Sequence, residues 1–267
     1  MLNNFLWATV IYSVIACCTI MGLVWVWSNK IKNAGVVDIF WSYNFPVIAI
    51  ILFIFAPGFE TRKLLLCGMV VLAGLRLGTH LAIRVLKHLH EEEPRYKQIR
   101  QEWGANADNK MFWFFQMQAI SNVLLAIPFF ISAMNTSMII SPLEYAGVAL
   151  WLISVFGEAI ADQQLVNFKK NAENKGTVCD TGLWYYSRHP NYFFEWSMWV
   201  SYFVFALASP YGYLAIISPA IILFLLLKVT GIPTTEQQSL RSKGEAYKKY
   251  QANTSVFVPW FKTGKAK

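Results

Sequence analysis

Between Asp180 and Trp199 the chain reads DTGLWYYSRHPNYFFEWSMW, which sets a guanidinium, an imidazole, an amide and a carboxylate at the mouth of an apolar segment. From Asn191 onward, helical spacing puts Asn191, Glu195, Trp199 and Tyr202 on one face. A carboxylate near the start of a spanning helix is costly in lipid, so Glu195 must face protein or water. Pro190 suits the first helical turn, where its missing N–H loses no partner. The peptide N–H groups that follow, together with Arg188, make an electropositive mouth suited to a phosphate. A membrane-interface anchor would also gather Arg, His, Tyr and Trp. It gives Asn191 and Glu195 no task.

Other polar groups interrupt apolar segments. Asp38 opens the second, Arg76 and His80 lie four apart in the third, and Glu158 and Asp162 lie four apart at the end of the fifth. Any one of them could be a packing hydrogen bond or ion pair; several near one membrane face point to a shared cavity. Nucleophilic chemistry finds no support, because there is no GxSxG and no Cys placed in a motif with His and Asn. His80, His88, His90 and His189 are scattered and the four cysteines show no CxxC spacing, so neither a metal site nor a disulfide framework is expected. A Gly-rich strand turn for a dinucleotide is also missing. Any nucleotide must be held by helix ends and loops.

The elements that position these groups follow from composition. Of 267 residues, 56% are hydrophobic, 16% aromatic and only 14% charged, more apolar surface than a soluble domain of this length hides. Seven stretches are long enough to cross a bilayer, which takes about 17–25 mostly apolar residues each. They fall near Phe5–Trp27, Val36–Ala56, Leu64–Leu86, Met111–Met134, Leu143–Ala161, Tyr192–Ala208 and Tyr211–Val229, the last two forming a hairpin through Ser209-Pro210-Tyr211-Gly212. The expected fold is an all-α, polytopic membrane domain over residues 1–267. The first segment spans, since it lacks the basic start and small-residue cleavage site of a signal peptide.

The net charge of +8 follows the loops. With seven spans nearly every Lys and Arg falls on one side, against only Arg62 and Lys63 on the other, which places the N-terminus outside and the C-terminus in the cytoplasm. The charge is thus topology with some attraction for phosphates, and a nucleic-acid partner is not expected. The loop Lys87–Lys110 mixes acids and bases and is interrupted by Pro94, which suggests a surface loop with a short amphipathic helix. The tail from Pro233 ends in Val256-Phe257-Val258-Pro259-Trp260, a run expected to fold back onto the cytoplasmic mouth.

The runs TGLWYYSRHPNYFFEW, KVTGIPTTEQQSL and YKKYQANTSVFVPWF resemble the DUF1295 membrane proteins related to steroid 5α-reductases, in a wider group with sterol C14 and C7 reductases and isoprenylcysteine methyltransferases. VDIFW at Val37–Trp41, RLGTHLAIR at Arg76–Arg84 and EPRY at Glu93–Tyr96 also suit it. Residues 111–267 carry the specific part, the helices and loops that would bind the cofactor. The resemblance implies NADPH contacts at Asn191 and Glu195, at Asp162 on the preceding helix and at Lys169 in the loop. Tyr186 fills the aromatic position before the motif, Arg188, His189 and Tyr192 belong to it, and Arg84 matches a phosphate-binding arginine. Steroid 5α-reductases use a Glu on the second helix and a Tyr on the third; Asp38 and His80 are the nearest candidates here. The implied activity is NADPH-dependent reduction of an activated carbon–carbon double bond in a lipophilic, steroid-like molecule. The alternative is an S-adenosylmethionine-dependent methyltransferase, which shares the Arg-His-Pro run. Its expected glutamate pair appears as Glu236-Gln237, with one acid kept.

Overall fold

A computed structural model describes residues 2–262. Its secondary structure is helical, with no strand among the described residues and one isolated parallel bridge between Ser187 and Ser255. Among the described residues five helices are long and apolar enough to cross a membrane, and six if one bent pair counts as a single span. Trp7, Leu23, Leu64 and Phe156 stand more than half exposed. Such side chains suit lipid as their solvent, as an integral membrane protein requires.

Two segments separate this count from the seven expected. Met111–Met134 falls on a helix pair bent by 42°. Leu125 ends one helix and Ile127 begins the next, and Pro128 in that first turn has no N–H for the continuing ladder. Tyr192–Ala208 coincides with a helix of 17 residues, Pro190–Ala206. At about 1.5 Å per residue it reaches about 26 Å, at the short limit for an apolar core of about 30 Å.

The chain divides into two compact units, Met1–Pro142 with Ala206–Ala215, and Leu143–Phe205 with Ile216–Lys267. The first holds α1 (Leu2–Ile31), α2 (Val36–Phe55), α3 (Glu60–Lys87), α4 (Pro94–Trp103), α5 (Ala107–Leu125) and α6 (Ile127–Ala133). Gly74 and Gly78, one turn apart on α3, let it close on α2: an added Cβ would stand 2.4 Å from Pro46 Cδ and 2.3 Å from the Tyr43 ring. Without a hydrophobic drive between helices in lipid, such small-residue seams let backbones approach. Asn44 Nδ2 donates to Asn122 Oδ1 at 2.9 Å, a polar tie between α2 and α5. Arg62, almost fully buried, donates to the carbonyls of Asn135, Ser137 and Ile139 and so satisfies a loop that has no ladder of its own.

Pro94 opens α4 at its first turn, where a missing N–H is harmless, so it starts the helix of this loop. The loop before it is pinned to the α1–α2 turn. Asn33 Nδ2 donates to the carbonyls of Leu89 and Glu91, and Ala34 N and Arg100 Nε both donate to Glu92 Oε1. These bonds bring Tyr96 under the start of α2.

The second unit holds α7 (Pro142–Lys170), α8 (Leu183–Tyr186), α9 (Pro190–Ala206), α10 (Ile217–Phe224), α11 (Ile232–Lys243) and α12 (Glu245–Asn253), with a π-helical turn at Leu225–Val229. Gly147 and Gly157 admit Phe205 and the Phe194 ring, which bring α7 and α9 together, and Trp151 Nε1 donates to Tyr202 Oη at 3.1 Å between them. Trp196 Nε1 donates to the Pro219 carbonyl at 3.1 Å, joining α9 to α10.

Candidate functional site

The loop before α9 is built onto the end of α7. Gly182 has φ +60°, a left-handed conformation that favours glycine, and an added Cβ would meet the Gln164 amide at 2.5 Å. Gln164 Oε1 accepts from Leu183 N at 2.9 Å, and Trp184 Nε1 donates to the Ala161 carbonyl at 2.9 Å. These contacts fix the short α8 and aim the following Ser187-Arg188-His189 into the unit.

The tail closes over this run, as its apolar ending suggested. Arg188 N donates to the Ser255 carbonyl, Ser187 Oγ to the Phe257 carbonyl, and Trp260 N to the Tyr186 carbonyl, all within 2.8–2.9 Å. Tyr250 Oη donates to the carbonyls of Trp184 and Ser187. The backbone that carries the motif is therefore held by residues some seventy positions later.

Glu236 is the hub of the polar side chains. Arg188 Nε donates to its Oε1 at 2.6 Å, and Gln251 Nε2 donates to its Oε2 at 2.8 Å. His189 Nε2 lies 3.3 Å from Oε1; a carboxylate only accepts, so that nitrogen carries the proton. Arg188 Nη1 donates to the carbonyls of Gln251 and Thr254. The His189 ring stacks on Tyr192, their planes 5° apart, and Tyr192 shares a 3.1 Å hydrogen bond with Thr235. Tyr247 Oη reaches Glu236 Oε1 at 3.5 Å, and burial and that carboxylate push its phenol up to about 12, so it stays a donor at ordinary pH.

Deeper, Asn191 Nδ2 donates to Asp162 Oδ1 at 3.2 Å, tying α9 to α7. The other end of the same amide, Asn191 Oδ1, is buried without a hydrogen-bond partner. Glu195 follows one turn on. Lys169 lies exposed in the last turn of α7, and Tyr186 is half-exposed beside Phe261. Asp162, Arg188, His189, Asn191, Tyr192 and Glu236 thus fall into two linked polar groups of the second unit. Arg188 commits its Nε and Nη1 to protein acceptors.

The remaining sequence candidates belong to the first unit. Tyr96 Oη donates to Asp38 Oδ1 at 2.8 Å; Tyr96 is fully buried and Asp38 is partly accessible. His80 is exposed on α3 and makes no hydrogen bond among the described residues. Arg84, half-exposed, pairs with Glu93 at 2.9 Å. Sequence reasoning assigned no role to Tyr96, 58 positions from Asp38. Its one visible signal was the EPRY run, where a tyrosine follows a helix-opening proline.

Neither a curated protein nor a solved structure matches the chain. The family described as "Protein of unknown function (DUF1295)" matches residues 24–254, most of the sequence and every residue of the clusters above except the far tail. The chain belongs to that family.

Proposed function

We propose that this protein is an NADPH-dependent reductase of an activated carbon–carbon double bond in a lipophilic, steroid-like molecule. The observation that carries this is the half-satisfied Asn191 amide. Its Nδ2 is held by Asp162, while its buried Oδ1 lacks a donor. A buried acceptor without a partner costs about 1–3 kcal/mol, so a group that completes it is favoured. The carboxamide N–H₂ of a nicotinamide is such a donor, and the residues present fit the cofactor on this count. Asp162 and Asn191 would hold the nicotinamide end, with Glu195 one turn away and Lys169 at the rim for phosphate.

NADPH held there would supply a hydride for the β-carbon of an enone. The chain must then supply a proton and steady the oxygen on which negative charge grows. Asp38 is suited to both. Tyr96 occupies its Oδ1 and leaves Oδ2 to hold the proton, so Asp38 is the proposed acid and Tyr96 its positioning residue. His80 has no comparable partner, which favours Asp38 between the two.

The S-adenosylmethionine alternative rests on the same Arg188-His189-Pro190 run and on Glu236. Here that glutamate is saturated by Arg188, His189 and Gln251, leaving little for a ligand amine. Titration of the purified protein in detergent with NADPH, NADH and S-adenosylmethionine, read by calorimetry or thermal shift, tests the proposal. NADPH is expected to bind tightest. A response to S-adenosylmethionine alone would overturn the reductase reading.

A further inference from the structure

Two clefts of the second unit meet at Gly176 and Thr177, outside the polar groups described above. The smaller, about 330 Å³, is lined by Lys169, Lys175 and Lys243, with no carboxylate among its described lining residues. None of the three lysines is in an ion pair among the described residues, and Lys243 Nζ lies over the Tyr247 ring, 5.7 Å from its centroid. The larger, about 630 Å³, is lined by Tyr185, Lys249, Asn253 and Thr254 as well as Asp180 and Lys262. There Lys262 Nζ lies 3.4 Å from Asp180 and over the Tyr185 ring, and Lys249 adds a further ammonium.

The larger cleft also carries unmet hydrogen bonding. Thr254 is 4% exposed and its Oγ1 has no partner, although its carbonyl is taken by Arg188. Asn253 Oδ1 is likewise buried without a partner, while its Nδ2 donates to the Lys249 carbonyl. Gly176 has φ +82° and nothing within 4 Å of an added Cβ, so the backbone between the clefts offers no side chain to block a ligand crossing it. One side is therefore cationic with no carboxylate in its described lining, while the other sets Asp180 against Lys249 and Lys262 and holds a hydroxyl and an amide oxygen without partners. A phosphate monoester carried on a sugar has that division of chemistry: anionic oxygens for the lysines, and hydroxyls or an amine for Asn253 and Thr254.

We propose that the twin clefts form a phosphate-monoester subsite, and, resting on the NADPH reading, that the monoester is the adenosine 2′-phosphate of that cofactor. Lys175 and Lys243 then set the preference over NADH, and Asn253 and Thr254 bind the adenosine.

The full chain in phosphatidylcholine nanodiscs would be titrated with adenosine 2′,5′-bisphosphate and with adenosine 5′-monophosphate. A preference of about tenfold for the bisphosphate is expected, as for a charge-assisted contact. The Lys175→Ala, Lys243→Ala double variant should lose that preference and keep its affinity for the monophosphate. Thr254→Val, which retains shape and backbone, should weaken both. No preference in the parent, or a preference unchanged in the double variant, would overturn the proposal. Capture of phosphatidic acid in mixed nanodiscs without nucleotide preference would assign the monoester to a lipid headgroup and overturn the nucleotide part. The probes lack nicotinamide, so the two readings fail separately. Nucleotide preference without NADPH oxidation removes the reductase and leaves the subsite; NADPH oxidation with preference intact in the double variant does the reverse.

Discussion

Two cationic regions of the second unit, both near the loop between α7 and α9, are wired in opposite ways. At Arg188 the guanidinium is only 11% exposed and its Nε and Nη1 meet a carboxylate and two carbonyls. At Lys169, Lys175 and Lys243 three ammonium groups share a cleft with no carboxylate among its described lining. Positive charge alone therefore does not mark a phosphate site. A cation committed to protein acceptors holds the chain together, here the tail to the Arg-His-Pro run, while a cluster with no carboxylate in its lining retains its field for a ligand. The same contrast recurs among neutral groups: Ser187 Oγ is satisfied by Phe257, whereas Asn191 Oδ1 and Thr254 Oγ1 are buried and unmet.

Removing the cation committed to protein acceptors should cost the most stability. Arg188→Ala strands Glu236 and the Gln251 and Thr254 carbonyls. Breaking a buried pair from one side costs about 3–5 kcal/mol, and the slight exposure here puts the expected loss near about 3 kcal/mol. Thermal melting in detergent would show it, with faster protease cleavage at 254–260 as the tail is released. A variant as stable as its parent would mean that the guanidinium is reserved for a ligand after all.

An unsatisfied group should show the opposite signature. Asn191→Ala is expected to weaken NADPH binding by about 1–3 kcal/mol while melting changes less, because one end of the amide has no protein partner to lose. Normal cofactor affinity with a large drop in melting temperature would make Asn191 a packing group. The smallest effect belongs to Arg84→Ala. Its pair with Glu93 is 53% and 30% exposed, so loss of the pair should change stability by less than about 1 kcal/mol, and less still in high salt. A marked loss of NADPH affinity in this variant would restore the phosphate role that the resemblance gave it.

What the sequence disclosed divides along the same line. Local features read well: helical spacing located α9, the apolar runs located most of the spans, and the resemblance put Asp162 beside Asn191. Contacts between distant positions did not. Nothing in the spacing of Arg188 shows that a glutamate 48 positions later accepts from its Nε, nor does EPRY reveal that Tyr96 reaches back to Asp38. Both pairings depend on loops fixed by hydrogen bonds between distant segments, at Ser255–Phe257 in one case and at Asn33–Ala34 in the other. The span count differed because hydropathy sums residues and does not register a bend at Pro128 or a helix of only 17 residues.

The central claim is reduction, and the most direct test is consumption of NADPH by the purified protein given a 3-oxo-4-ene steroid as an enone probe. NADPH should be oxidised only when the enone is present, with the saturated ketone as product. Asp38→Asn should lose turnover by about 10²–10⁴-fold, the range for a general acid, while still binding NADPH. If the parent protein leaves NADPH untouched across enone probes yet transfers a methyl group from S-adenosylmethionine to a lipid, the reductase assignment is wrong.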